Sequence, residues 1–179
     1  MKYIPNDVYK SIYDIDFNKL YEDGYRFIIS DLDNTLASYK ENLPNNLLLN
    51  KIEEIKKLGF QFYLVSNNNS SRISTFNEVL KTDGFLSKAN KPKTNKLETY
   101  LIENEIDKTK TIGLGDQLVT DILGFNRLGV YSILVKTIDK KTQKWYTKIN
   151  RIREIKILKE IKKINPNIGR KIEELWVDV

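Results

Sequence analysis

Apolar residues recur along this chain as short runs separated by longer amphipathic stretches. Phe27, Ile28 and Ile29 form a continuous run, the mark of a strand buried on both faces. With it the first strand reads roughly as Arg26 to Leu32. Phe60, Phe62, Leu64 and Val65 read as a second strand, Thr111, Ile112 and Leu114 as another, and Tyr131 to Val135 as the last. A shorter candidate lies at Phe85 to Ala89. Helical spacing fills the intervals. Leu47, Leu48, Ile52, Ile55 and Leu58 follow Pro44, which suits a first turn, and stop at Gly59. Ile73, Phe76, Val79 and Leu80 follow a Ser70 or Ser71 cap, and Leu97, Tyr100 and Leu101 follow Thr94. Val119, Ile122, Leu123 and Leu128 run to Gly129, and a weaker patch (Ile15, Phe17, Leu20, Tyr21) stops at Gly24. Strands alternating with helices predict an α/β fold, a Rossmann-like parallel sheet with helices on both faces. No repeat or low-complexity linker divides the chain, so residues 1–179 read as one domain.

From about residue 137 the pattern changes to a basic helical extension. Trp145, Ile149 and Ile152 share one stripe, whereas Ile157, Leu158, Ile161 and Ile164 lie mostly on another, so a bend or two helices is expected. Lys136 to Lys163 holds eleven Lys or Arg against Asp139, Glu154 and Glu160, an excess of eight in a chain of net charge +6, which leaves the remainder slightly acidic. Two readings follow. The extension rests on anionic lipid with Trp145 and Tyr146 near the headgroups, or it packs on the domain and solvates its lysines; the second is preferred.

Composition narrows the chemistry. The chain has no Cys and no His, which excludes disulfides, thiolate nucleophiles, the usual zinc sites and imidazole catalysis. The N-terminus has no apolar signal core and no run approaches a membrane span, so a cytoplasmic protein is expected, with peripheral membrane contact as an option.

Four polar clusters fall where strands end: Asp31/Asp33/Thr35, Ser66/Asn67, Lys91 and Asp116/Asp121. Ligands of an open parallel sheet bind outside those ends. Asp31 and Asp33 alternate onto one side of an extended chain, and two carboxylates that close call for a hard divalent cation. The EF-hand alternative fails, because Leu36 stands where Gly is required and Asn42 where Glu is required. Each cluster has a part in phosphoryl transfer. Asp31 is the candidate nucleophile, and Asp33 the acid that protonates the leaving oxygen and then activates water. Asp31, the Asp33 carbonyl and Asp116 offer oxygens to Mg²⁺, while Asp121 orients Lys91 or a metal-bound water. Thr35, Ser66 and Asn67 are the candidate substrate-binding groups, and Lys91 neutralises the phosphoryl charge.

The set Asp31-x-Asp33-x-Thr35, Ser66-Asn67, Lys91-Pro92 and Gly115-Asp116-(four residues)-Asp121 resembles the four motifs of the haloacid-dehalogenase-like (HAD) phosphatases, in particular the III A type. The strings Asp31-Leu-Asp-Asn-Thr-Leu36, Val65-Ser-Asn-Asn-Asn69 and Gly115-Asp-Gln-Leu-Val-Thr-Asp121 are similar to the YqeG-type branch, as is Ser11-Ile-Tyr-Asp-Ile-Asp16. The likeness spans roughly residues 3 to 158. That branch is related to a mitochondrial phosphatidylglycerophosphate phosphatase, so the resemblance implies that lipid as a candidate substrate. Soluble phosphometabolites stay open.

Members of this superfamily carry a cap module after the first motif or between the second and third. Here Leu36 to Pro44 is a few residues, and Ser66 to Lys91 has room only for one helix and a short strand, so the cap is expected to be minimal or absent. An open site suits an exposed phosphomonoester, including a phospholipid headgroup. The competing class is a non-enzymatic RNA- or ribosome-associated module. With no glycine-rich phosphate loop, zinc finger or RNP-like aromatic motif, nucleic acid is the weaker partner.

Overall fold

The computed structural model describes residues 2–139 and 145–177, excepting the side chains of 145–152 and 177. Six parallel strands form one sheet: β1 (Asp7–Tyr9), β2 (Phe27–Ser30), β3 (Gln61–Val65), β4 (Gly84–Leu86), β5 (Thr111–Gly115) and β6 (Tyr131–Val135). Their order is β1-β6-β5-β2-β3-β4. The chain runs outward from β2 through β3 to β4, then crosses back to β5 on the other side of β2. The winding therefore reverses between β2 and β5, and the carboxyl ends of those two strands flank the crevice this reversal opens.

Among the described residues seven α-helices accompany the sheet: α1 (Phe17–Glu22), α2 (Asn46–Lys57), α3 (Ser70–Leu80), α4 (Asn95–Glu103), α5 (Leu123–Leu128), α6 (Trp145–Ile164) and α7 (Pro166–Val177). The central strand shows how they are shared between faces. Ile28 packs with Leu48, Ile52, Ile55 and Phe76 of α2 and α3. The next residue, Ile29, points the other way, to Leu97, Leu101, Phe125 and Leu128 of α4 and α5. Both isoleucines are fully buried. This pleat alternation under two helix layers is why the strand reads as an unbroken apolar run.

The elements expected from the pattern are present, with local differences. The stretch read only as a weak helical patch also contributes β1, an edge strand pairing Val8 with Leu134. Three residues whose partner lies over 120 positions away leave no periodic signal. Pro44 precedes α2 instead of opening it, because the Asn45 side chain accepts from Leu48 N–H at 2.9 Å and sets the start. Asn69, not Ser70 or Ser71, occupies the N-cap of α3. β4 ends at Leu86, since the left-handed backbone of Lys88 (φ 48°) turns the chain out of the ladder before Ala89. The helix after β5 begins with a π-helical turn, Leu118–Ile122.

The extension forms two helices, but the break falls at Asn165, after the shift in stripe. Pro166 opens α7, and Asn165 Oδ1 accepts from Ile168 N–H at 3.2 Å. Leu158 and Ile161 of α6 and Ile172 and Leu175 of α7 pack on Val8, Leu134, Leu118 and Ile122. The packing reading thus holds for this part of the extension. Trp145, Tyr146, Ile149 and Ile152, on which the lipid reading drew, have side chains outside the described residues. Among the described residues no helix is long and apolar enough to cross a membrane, and no inserted cap domain stands over the strand ends.

Candidate active site

Asp31 directly follows β2, and its N–H continues the ladder to Leu114 C=O at 2.9 Å. The chain then curls: Asn34, with φ 66°, donates to Ala37 C=O at 2.7 Å, and Leu36 N–H reaches Leu32 C=O at 3.0 Å. Asparagine tolerates that left-handed backbone better than most residues. Lys91 arrives on the loop after β4 and is clamped by Asn67. The Asn67 amide donates to Lys91 C=O at 2.9 Å and accepts from Lys91 N–H at 2.7 Å. The ammonium so placed donates to Asp31 Oδ1 at 2.8 Å and Val65 C=O at 3.0 Å, and lies 2.7 Å from Asp121 Oδ1.

Asp116 sits at the end of β5 and accepts from Thr137 Oγ1 at 2.7 Å. Asp121 folds back from the π-helical turn and accepts from Gln117 N–H at 3.1 Å. Gly115 is what permits this return: a Cβ there would collide with the Asp121 Cβ. Glycine is required here by close approach, not by φ.

Carboxylate oxygens of Asp31, Asp116 and Asp121 lie within 4.8 Å of one another, all three residues buried. One ammonium, Lys91, sits among them, so the cluster carries two negative charges in excess. Burial pushes the Asp31 carboxyl well above the usual carboxylate range; Lys91 opposes this, while Asp121 and Asp116 add to it. Burial alone would lower Lys91, but the carboxylates of Asp121 and Asp31 outweigh it and hold its ammonium above an ordinary lysine. A hard-oxygen donor set with two surplus negative charges fits a divalent cation.

Asp33 points to a second set of partners. Arg72 Nε lies 2.6 Å from Asp33 Oδ1, and Asn68 Nδ2 donates to Oδ2 at 2.6 Å. The same guanidinium donates to the carbonyls of Ser38 and Glu41, and Asn68 also reaches the Tyr39 hydroxyl at 3.3 Å. Arg72 thus ties the loop after the first motif to α3 and fixes the Asp33 carboxylate. Sequence reading missed both partners. Asn68 stood within a quoted string without a task, and Arg72, in the first turn of a helix following a strand end, had only that position to mark it.

Asp31, Asp33, Ser66, Asn67, Lys91 and Asp121 line one cavity of about 490 Å³. Thr35 is buried beside it and donates to Asp31 Oδ2 at 3.2 Å, and Ser66 Oγ accepts from Asn68 N–H at 3.0 Å. The lining also takes in Tyr3 from near the N-terminus and Arg153 and Ile157 of α6. Glu154 anchors that helix. Its fully buried carboxylate accepts from Leu118 N–H at 2.5 Å and Val119 N–H at 3.3 Å, capping the turn that carries Asp121. In the sequence it is only an acid in a basic segment.

The family profile described as "Mitochondrial PGP phosphatase" matches residues 1–138. "Probable phosphatase YqeG" of Bacillus subtilis (strain 168) is 35% identical over 161 residues, covering 90% of this chain and 92% of that protein. Among solved structures, a hypothetical protein from Xanthomonas campestris superposes with a TM-score of 0.51 at 14% identity, over 78% of each chain. An uncharacterized protein from Listeria monocytogenes serotype 4b reaches 0.50 at 19% identity, over 64% of this chain and 84% of its own. These two likenesses concern the fold.

Proposed function

From the premise that the chain belongs to the mitochondrial PGP phosphatase family, and is a HAD-type phosphatase, we infer that it hydrolyses a phosphomonoester through a phospho-Asp31 intermediate, with phosphatidylglycerophosphate as the candidate substrate. The observation that carries this reading is the buried cluster of Asp31, Asp116 and Asp121 around Lys91 at the reversal of the sheet.

Asp31 attacks phosphorus from the end of β2. As the bond from phosphorus to the leaving oxygen breaks, Asp33 gives that oxygen a proton. Asp33 then takes a proton from the water that attacks phospho-Asp31, the bond from phosphorus to the Asp31 oxygen breaks, and inorganic phosphate leaves. Arg72 and Asn68 hold the Asp33 carboxyl in place for both transfers. Thr35 and Ser66 face the phosphoryl oxygens, and Lys91 balances their charge, positioned by Asn67 and Asp121. Mg²⁺ held by Asp31, Asp116 and the Asp33 carbonyl supplies, when bound, positive charge against the transferring phosphoryl group. The chain works as one domain, its basic extension included, and its lysines suit peripheral contact with an anionic membrane.

Phosphate release in Mg²⁺ from phosphatidylglycerophosphate in mixed micelles, beside an aryl phosphate and with Asp31→Asn as the blank, tests this. Preference for the lipid is the expected result. Activity on the aryl phosphate alone discards the lipid, and turnover by Asp31→Asn discards the nucleophile.

A further inference from the structure

The cavity above Asp31 is larger than a phosphoryl group needs, and one of its walls has no task in the chemistry described so far. At about 490 Å³ it falls in the range that holds a whole small-molecule ligand. Two cations line it. Lys91 is already matched to Asp31 and Asp121, whereas Arg153, exposed on α6, forms no ion pair among the described residues. Ile157 lies one helical turn on and lines the same wall, with Tyr3, Val119 and Leu123 around it. Thr120 lines it too, and its hydroxyl has no hydrogen-bond partner among the described residues.

This wall is held in place. Glu154, Leu158 and Ile161 form the inward stripe of α6. They fix the helix through the Glu154 bonds to Leu118 and Val119 N–H and through apolar packing on Leu118, Ile122 and Leu134. Arg153 and Ile157 form the neighbouring stripe, so the anchoring that buries one turns the other toward the cavity. Charge gives the wall a purpose. With a divalent cation the floor is close to neutral, so attraction for a further anion falls to the free guanidinium, whose planar fork matches a phosphate.

Resting on the phosphatase reading above, we propose that Arg153, with Ile157 and Thr120 beside it, forms an outer subsite for a second phosphate, a diester within the leaving group of the same substrate. The candidate substrate named above already carries such a diester, and what the wall adds is the residue that reads it. That diester comes from a lipid headgroup or from a soluble glycerophosphodiester.

Calorimetric titration of the full chain carrying Asp31→Asn tests this with two soluble probes, glycerophosphoglycerophosphate and glycerol 3-phosphate. The quantity read is the ratio of their affinities. Adding Arg153→Ala is expected to lower that ratio roughly ten- to hundredfold, the scale of one charge-assisted contact, with Arg153→Lys in between. A ratio left unchanged by Arg153→Ala overturns the subsite. A third probe, dihexanoyl phosphatidylglycerophosphate, separates the sources. A gain over the deacylated probe that Ile157→Ser removes assigns a lipid headgroup, and equal binding assigns a soluble diester. The phosphatase reading fails separately, if the wild type releases no phosphate from any of the three, and the affinity ratio still decides the subsite.

Discussion

Asp31 and Arg153 line one cavity, yet they are held in opposite ways. Asp31 is 8% exposed at the end of a central strand and receives hydrogen bonds from Lys91 and Thr35. Arg153 is exposed on a helix near the end of the chain and is oriented through the anchoring of that helix by Glu154, Leu158 and Ile161. The floor combines parts from the loops after β2, β3, β4 and β5, tied to one another by hydrogen bonds and ion pairs. The wall is one helix seated by one carboxylate and an apolar stripe. On the proposed roles, bond-making steps, which need fixed distances, fall to the sheet, and recognition of the rest of the substrate falls to a peripheral helix.

The comparison is broken most severely at Asp31. Asp31→Asn is expected to lower phosphate release by about 10⁴-fold or more, read by steady-state kinetics. The same variant should be more stable without metal. The folded Asp31 carboxyl titrates above its ordinary 3.8, so its contribution to stability is present below that value and lost as pH rises through the folded one. Asparagine has no such loss. The metal-free variant should therefore melt above the metal-free wild type at about pH 8, with the gap closing toward about pH 4. Calorimetric scans across that range read the sign directly, and a wild type that melts higher at alkaline pH would refute the excess-charge description.

Lys91→Ala comes next. It removes the ammonium on which the carboxylates of Asp31 and Asp121 converge, and should cost about 10²- to 10³-fold in kcat, the scale of one preorganised charge. Arg72→Ala tests the second arm of the floor. With Asp33 no longer oriented, kcat should fall by roughly tenfold on an alkyl phosphate and less on an aryl phosphate, whose leaving oxygen needs little protonation. Equal losses on both would take Arg72 out of proton transfer. Glu154→Ala is the smallest effect on chemistry and sharpens the contrast. Leaving the Leu118 and Val119 N–H groups without their acceptor should cost about 1–3 kcal/mol in thermal stability. kcat should change only a few-fold, and Glu154→Gln, which keeps an acceptor, should recover most of the loss.

Much of the fold was legible in advance for definite reasons. The run Phe27-Ile28-Ile29 marks a strand covered on both faces, and Ile28 and Ile29 do enter opposite clusters. The four polar clusters mark strand ends because the apolar runs stop there, and the structure brings the residues of all four together around one cavity. β1 was missed because Asp7–Tyr9 finds its partner only in β6. Arg72, Asn68 and Glu154 were missed because a polar residue on a helix or loop looks the same in sequence whether it meets solvent or a buried partner.

By itself, then, the amino-acid order determined the period of each element, the α/β alternation and the chemical groups available at the strand ends. Those are local properties, set by side-chain spacing and backbone preference over a few residues. Only the tertiary structure decided that Lys91 stands between Asp31 and Asp121, that Asp33 answers to Arg72, and that a helix from the end of the chain walls the cavity with Arg153. Those pairings join residues from 30 to more than 100 positions apart, and what selects them is the burial of apolar faces that carry the polar groups along.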